Sequence, residues 1–195
     1  VLRATTEAMS AAIGGCDSLQ VTPFDATYRE PSEAGRRLAR NTQLILKKEA
    51  WLDRTVDPAG GSYYLEVLTD SLARAAWKLM QQAESAGGFR KAGKWIAGEV
   101  EKSRAAKAAA VASRRRTMVG TNQYPNAAER MAGEIQREVH PRAAEAFEAL
   151  RLRTERSGKT PLFLLVETGD LKMRKARAGF SANLFGCAGF QTRAV

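Results

Sequence analysis

Cysteine is nearly missing from this chain: Cys16 and Cys187 are the only two in 195 residues, far apart in sequence. That excludes a disulfide framework and a cysteine-based metal spacing, and it suits a reducing cytoplasm. Histidine is scarcer still. His140 stands alone before Pro141, in a break between two expected helices, and reads as a solvated or capping residue. No stretch of about 18 apolar residues is present, so no membrane-spanning helix is expected. The opening Val1-Leu2-Arg3-Ala4-Thr5 has neither an initiator methionine nor a basic-then-apolar signal pattern, and it reads as a start inside a fold. The GxSxG, P-loop and GxGxxG motifs are all missing, which removes the commonest hydrolase and nucleotide-binding signatures.

What is present is a core-forming composition, 44% hydrophobic and 27% charged, with a formal net charge of +10. Much of that charge is local. Between Phe89 and Thr117 stand Arg90, Lys91, Lys94, Lys102, Arg104, Lys107, Arg114, Arg115 and Arg116 against Glu99 and Glu101. Nucleic-acid binding is one reading. Phe89 and Trp95 are the only aromatics there, so a base-stacking platform is not evident. A solvated, alanine-rich helix with a basic face is the favoured reading. A third is an electrostatic match to an acidic partner or to the phosphates of a coenzyme A ester.

The chain order suggests an α/β protein. Residues 1–13 read as a helix stopped at Gly14-Gly15. Leu19 to Phe24 and Arg54 to Asp57 are short strand candidates. A helix starting after Ser32, a candidate cap, carries Ala34, Leu38, Leu44 and Ile45 toward Trp51. Thr69 opens an amphipathic helix bearing Leu72, Ala75, Ala76, Leu79, Met80 and Ala83, ended by Gly87-Gly88. A basic helical region reaches about Arg116, a turn follows to Asn126, and further helices are expected near 127–138 and 142–156. Leu162 to Val166 is the strongest strand, its continuous apolar run suiting a parallel strand buried on both faces. A helix around Ala176 to Phe185 completes the chain. One βα unit cannot close a sheet and two strands cannot close a barrel, so the chain reads as a fragment or a piece needing a partner.

Candidate functional residues are few. Asp25 and Asp57 adjoin expected strand ends, where α/β barrels carry function; the alternative is loop capping by Asx-type hydrogen bonds. Asn41 and Gln43 put amides inside an otherwise apolar helix and could line a pocket or face solvent. Gly60-Gly61 permits close backbone approach to a ligand or a tight turn.

Several blocks together carry a family resemblance. They are Leu2 to Ala8, Gly14-Gly15-Cys16-Asp17-Ser18-Leu19, Ala39 to Leu46, Glu49, Val56 to Glu66 and Gly120-Thr121-Asn122. In this order they resemble the methylmalonyl-CoA mutases, cobalamin-dependent acyl-CoA mutases, over nearly the whole chain. The resemblance implies a partial TIM-barrel end with trailing helices over 1–117, a helical linker over 118–160, and over 161–195 the first βα unit of a flavodoxin-like, cobalamin-binding-like domain. It also implies interconversion of methylmalonyl-CoA and succinyl-CoA with adenosylcobalamin.

Two departures qualify the activity. Where catalytic members have Ser-Leu-His-Thr, this chain has Ser18-Leu19-Gln20-Val21-Thr22. Where they have Asp-x-His-x-x-Gly, whose histidine is the lower cobalt ligand, alignment on Gly169 puts Leu171, Met173 and Ala176. A thioether is a softer donor than imidazole and has no second nitrogen for a carboxylate to orient. The pattern resembles the small, non-catalytic subunit of heterodimeric mutases, as do Val21 to Asp25 and Phe147 to Arg151. The expected role is structural, beside a catalytic large subunit that works on acyl-CoA, with adenosylcobalamin in the complex and not on this chain. No catalytic or metal residue is carried over; Gln20, Asn41, Gln43 and Glu49 remain as vestigial pocket candidates. A catalytic mutase with an atypical cofactor site and a basic nucleic-acid-binding helical protein are the alternatives.

Overall fold

A computed structural model describes residues 1–136 and 141–195 of the chain. It divides into two compact units, Val1–Ala97 and Gly98–Val195. His140 and the last residues of the helix expected near 127–138 lie outside the described residues.

The first unit is helical. Helices α1 (Leu2–Ile13) and α2 (Glu33–Lys48) pack together, burying Ala8, Gly35, Ala39 and Leu46. Small residues at the crossing let the two backbones approach. Ser32 caps α2 as expected, its hydroxyl accepting from the Gly35 N–H at 3.0 Å. Leu19 to Phe24 forms no strand: the segment is irregular and ends in a turn. Arg54 to Asp57 forms none either, being a run of bends. Trp51 and Asp57, with φ of 59° and 49°, flank it in the left-handed region. A strand needs a neighbouring edge for its backbone groups, and the described residues of this unit offer none.

Helix α3 spans Tyr63–Ser85, starting six residues before the expected Thr69. Glu66 explains the earlier start, since its carboxylate folds back to accept the Gly61 N–H at 3.0 Å. No residue of α3 is buried. Leu72 is 61% exposed and Leu79 51%, so the apolar stripe read from the sequence is present and uncovered.

Helix α4 (Gly93–Ala112) stops before the expected Arg116. In the second unit, residues 127–136 form turns rather than the expected helix, and α5 occupies Glu145–Arg156. Strand β1 (Leu162–Leu165), α6 (Leu171–Cys187) and β2 (Gln191–Ala194) form a parallel βαβ unit, with Leu162 opposite Gln191 and Leu165 opposite Ala194. The second strand was not anticipated. Phe163 stacks on Phe185 at 4.1 Å and on Phe190 at 5.3 Å, forming the core under α6. Burial of β1 on both faces is not observed: Phe163 and Leu165 are half-buried, but Leu162 and Leu164 are exposed.

Candidate functional site

The first unit contains a cleft of 330 Å³ lined by Cys16, Asp17, Leu19, Gln43, Lys47 and Asp53 among others. Helix α2 delivers Gln43 and Lys47 one turn apart, so both face the same side. Lys47 Nζ lies 3.7 Å from Asp53 Oδ2, an exposed pair of small energetic weight. Gln43 Nε2 donates to the Ala39 carbonyl at 3.3 Å, a local tie that restricts the amide. Of the four pocket candidates, Gln43 alone lines this cleft. Asn41 is half-buried two positions away, about 200° around the helix. Gln20 is exposed, and Glu49 is the exposed C-cap of α2. The structure therefore does not gather Gln20, Asn41, Gln43 and Glu49 around one cavity.

Asp25 is fully buried, and its partners are structural. Its Oδ2 accepts from the Ser32 hydroxyl at 2.7 Å, the Ser32 N–H at 3.0 Å and Arg29 Nε at 3.2 Å. Burial pushes the carboxyl up, but these donors outweigh it and lower the pKa to about 2. The group is a fixed anion that organises the start of α2. Gly35 is required beside it, because a Cβ there would stand 2.3 Å from Asp25 Oδ1. Asp57 sits in the turn before α3, where the Gly60 N–H donates to its carbonyl at 3.0 Å. Gly61, at φ 79°, completes that turn.

In the second unit the loop after β1 is organised by Asp170. Its Oδ2 accepts from the N–H groups of Lys172 at 3.0 Å and Met173 at 3.3 Å, capping α6. Met173 thus occupies the first turn of α6, half-exposed, with Leu171 beside it. Among the described residues no group of three or more His, Cys, Asp or Glu is placed to hold a metal ion.

Two buried polar residues, Asn122 and Arg151, and the half-buried Glu155 organise the second unit, and local sequence pattern marks a role for none of them. Asn122 is fully buried. Its amide nitrogen donates to the carbonyls of Val111 at 2.9 Å and Arg116 at 2.8 Å, and its oxygen accepts from the Met118 N–H at 2.7 Å. It closes the open end of α4, the physical use of the Gly120-Thr121-Asn122 block. Arg151 donates to the carbonyls of Asn126 and Glu129. Glu155, one turn on, accepts from the N–H groups of Met131 at 2.8 Å and Ala132 at 3.0 Å. Burial pushes the Glu155 carboxyl up, while these two donors and the nearby Arg151 and Arg130 bring it below the ordinary range. Backbone groups that a helix would satisfy internally are met here by α5 side chains, which explains the irregular 127–136 segment. A salt bridge between Arg151 and Glu155 one turn apart was the available signal, but nothing local identifies its backbone partners.

Part of the basic segment is paired on the surface or turned inward. Lys102 pairs with Glu99 at 2.6 Å and Arg104 with Glu101 at 2.9 Å. Arg114 turns inward at φ 60° and bonds Asn122, Gln123 and Asn183. No helix among the described residues is long and apolar enough to cross a membrane.

Comparison with known proteins bears on these features. The family model described as methylmalonyl-CoA mutase matches residues 1–170. The chain is 45% identical to the methylmalonyl-CoA mutase small subunit of Porphyromonas gingivalis, covering 98% of this chain and 34% of that protein. It is 40% identical to the probable methylmalonyl-CoA mutase small subunit of Mycobacterium bovis, over 98% of this chain and 33% of the relative. With the methylmalonyl-CoA mutase of Escherichia coli it shares 41% identity, over 64% of this chain and 18% of the relative. The chain therefore spans about a third of the length of the small-subunit relatives it matches.

Proposed function

Because the chain belongs to the methylmalonyl-CoA mutase family, we propose that it is part of the small subunit of a heterodimeric mutase. In this reading it contributes scaffold and assembly surface while a large subunit performs the isomerisation of methylmalonyl-CoA to succinyl-CoA. The observation that carries the reading is the reach of the similarity. It covers 98% of the chain for the small-subunit relatives of Porphyromonas gingivalis and Mycobacterium bovis, against 64% for the Escherichia coli mutase.

The chemistry of the loop after β1 supports the same reading. Residues that would hold the lower face of a cobalamin do not fit that task here. Met173 offers a thioether in place of imidazole, Leu171 offers no carboxylate to orient a ligand, and Asp170 is engaged in capping α6. Adenosylcobalamin is accordingly assigned to the partner subunit, and no step of the reaction is routed through this chain. The compartment proposed is the cytoplasm, in keeping with Cys16 and Cys187 as free thiols.

The architecture proposed is the end of a TIM barrel for residues 1–117, a linker for 118–160 and the opening of a flavodoxin-like domain for 161–195. The parallel β1–α6–β2 unit supports the last of these. Exposed apolar surface supports the first. No residue of α3 is buried, and Leu72 and Leu79 lie largely in solvent. In this reading the uncovered face of α3 packs against further elements of the mutase fold.

The test is co-expression of the full-length subunit containing this region with a large mutase chain. Co-purification, and methylmalonyl-CoA turnover only when both are present, is the expected result. Turnover by the small subunit alone would replace this reading with a catalytic mutase of atypical cofactor site.

A further inference from the structure

We draw no further inference here: the strongest candidate, the alanine-lined apolar groove of 520 Å³ between α4 and α5, bordered by Arg104, Lys107, Arg142 and Phe147, carries nothing because no feature of the described residues shows what covers it.

Discussion

Arg114 donates from its guanidinium to the side-chain oxygen of Asn183 at 2.8 Å, joining the end of α4 to the middle of α6 across 69 positions of sequence. The same oxygen accepts the Tyr124 N–H at 3.3 Å, and the guanidinium lies 5.2 Å from the centre of the Phe180 ring. One amide oxygen thus ties the segment after α4, at both Arg114 and Tyr124, to the βαβ unit.

Replacing that oxygen should loosen the second unit. Asn183→Ala removes an acceptor from a part-buried guanidinium and should cost on the order of 1–3 kcal/mol. Asn183→Asp keeps the acceptor and adds charge, so it should retain most of the stability. Arg114→Ala combined with Asn183→Ala should be less damaging than the sum of the two single changes. Urea unfolding followed by circular dichroism reads all three; strict additivity would remove the coupling.

Asn122→Ala should be at least as harmful. It strands the Arg116 carbonyl and the Met118 N–H, each costing about 1–3 kcal/mol when left unpaired, and takes one of two donors from the Val111 carbonyl, which keeps the Arg114 N–H at 3.0 Å. Asn122→Asp should not rescue, because a carboxylate cannot donate to the carbonyls of Val111 and Arg116. Thermal unfolding of the two variants provides the comparison, and a wild-type midpoint for the aspartate variant would contradict the assignment.

Asp25 predicts a defined pH response. Its folded pKa, about 2, lies below the ordinary aspartate value of 3.8. The unfolded chain therefore takes up its proton first as pH falls. The stability contributed by Asp25 is complete above 3.8 and is lost progressively down to about 2. Asn in its place should lower stability near neutral pH and flatten the acid limb between pH 5 and pH 2. Denaturant midpoints across that range would show it; parallel curves for Asp25→Asn and wild type would rule it out.

On the proposed function, the exposed stripe on α3 is covered in the full-length subunit. Leu72→Ala and Leu79→Ala should change the stability of the 195-residue chain by less than about 0.5 kcal/mol, since both side chains are largely in solvent. In the full-length subunit each should cost about 2–5 kcal/mol, as a buried leucine would. Equal small effects in both contexts would show that the stripe is never covered.

How much of this was legible in the sequence depended on how local the cause was. Ser32 as the cap of α2 and the apolar stripe of α3 follow from near neighbours, and both are present. The strands expected at Leu19 to Phe24 and Arg54 to Asp57 failed because β-pairing needs a partner edge that local pattern cannot supply. For the same reason Gln191–Ala194, polar and only four residues long, gave no local sign of its pairing with β1. The motif blocks identified the family, but their residues turned out to serve different ends. Asn122 closes a helix, Gly60 and Gly61 turn the chain, and Gln43 lines a cleft that Asn41 does not share.

The proposed function requires that this chain keep a mutase scaffold without a working cobalt ligand at Met173. Titration of the full-length small subunit alone with adenosylcobalamin, followed by its visible spectrum and by equilibrium dialysis, tests it most directly. No retained cofactor and an unchanged spectrum are expected, with retention appearing once the large subunit is added. Stoichiometric retention by the small subunit alone, with a spectrum showing that a protein side chain has become the lower ligand, would contradict it.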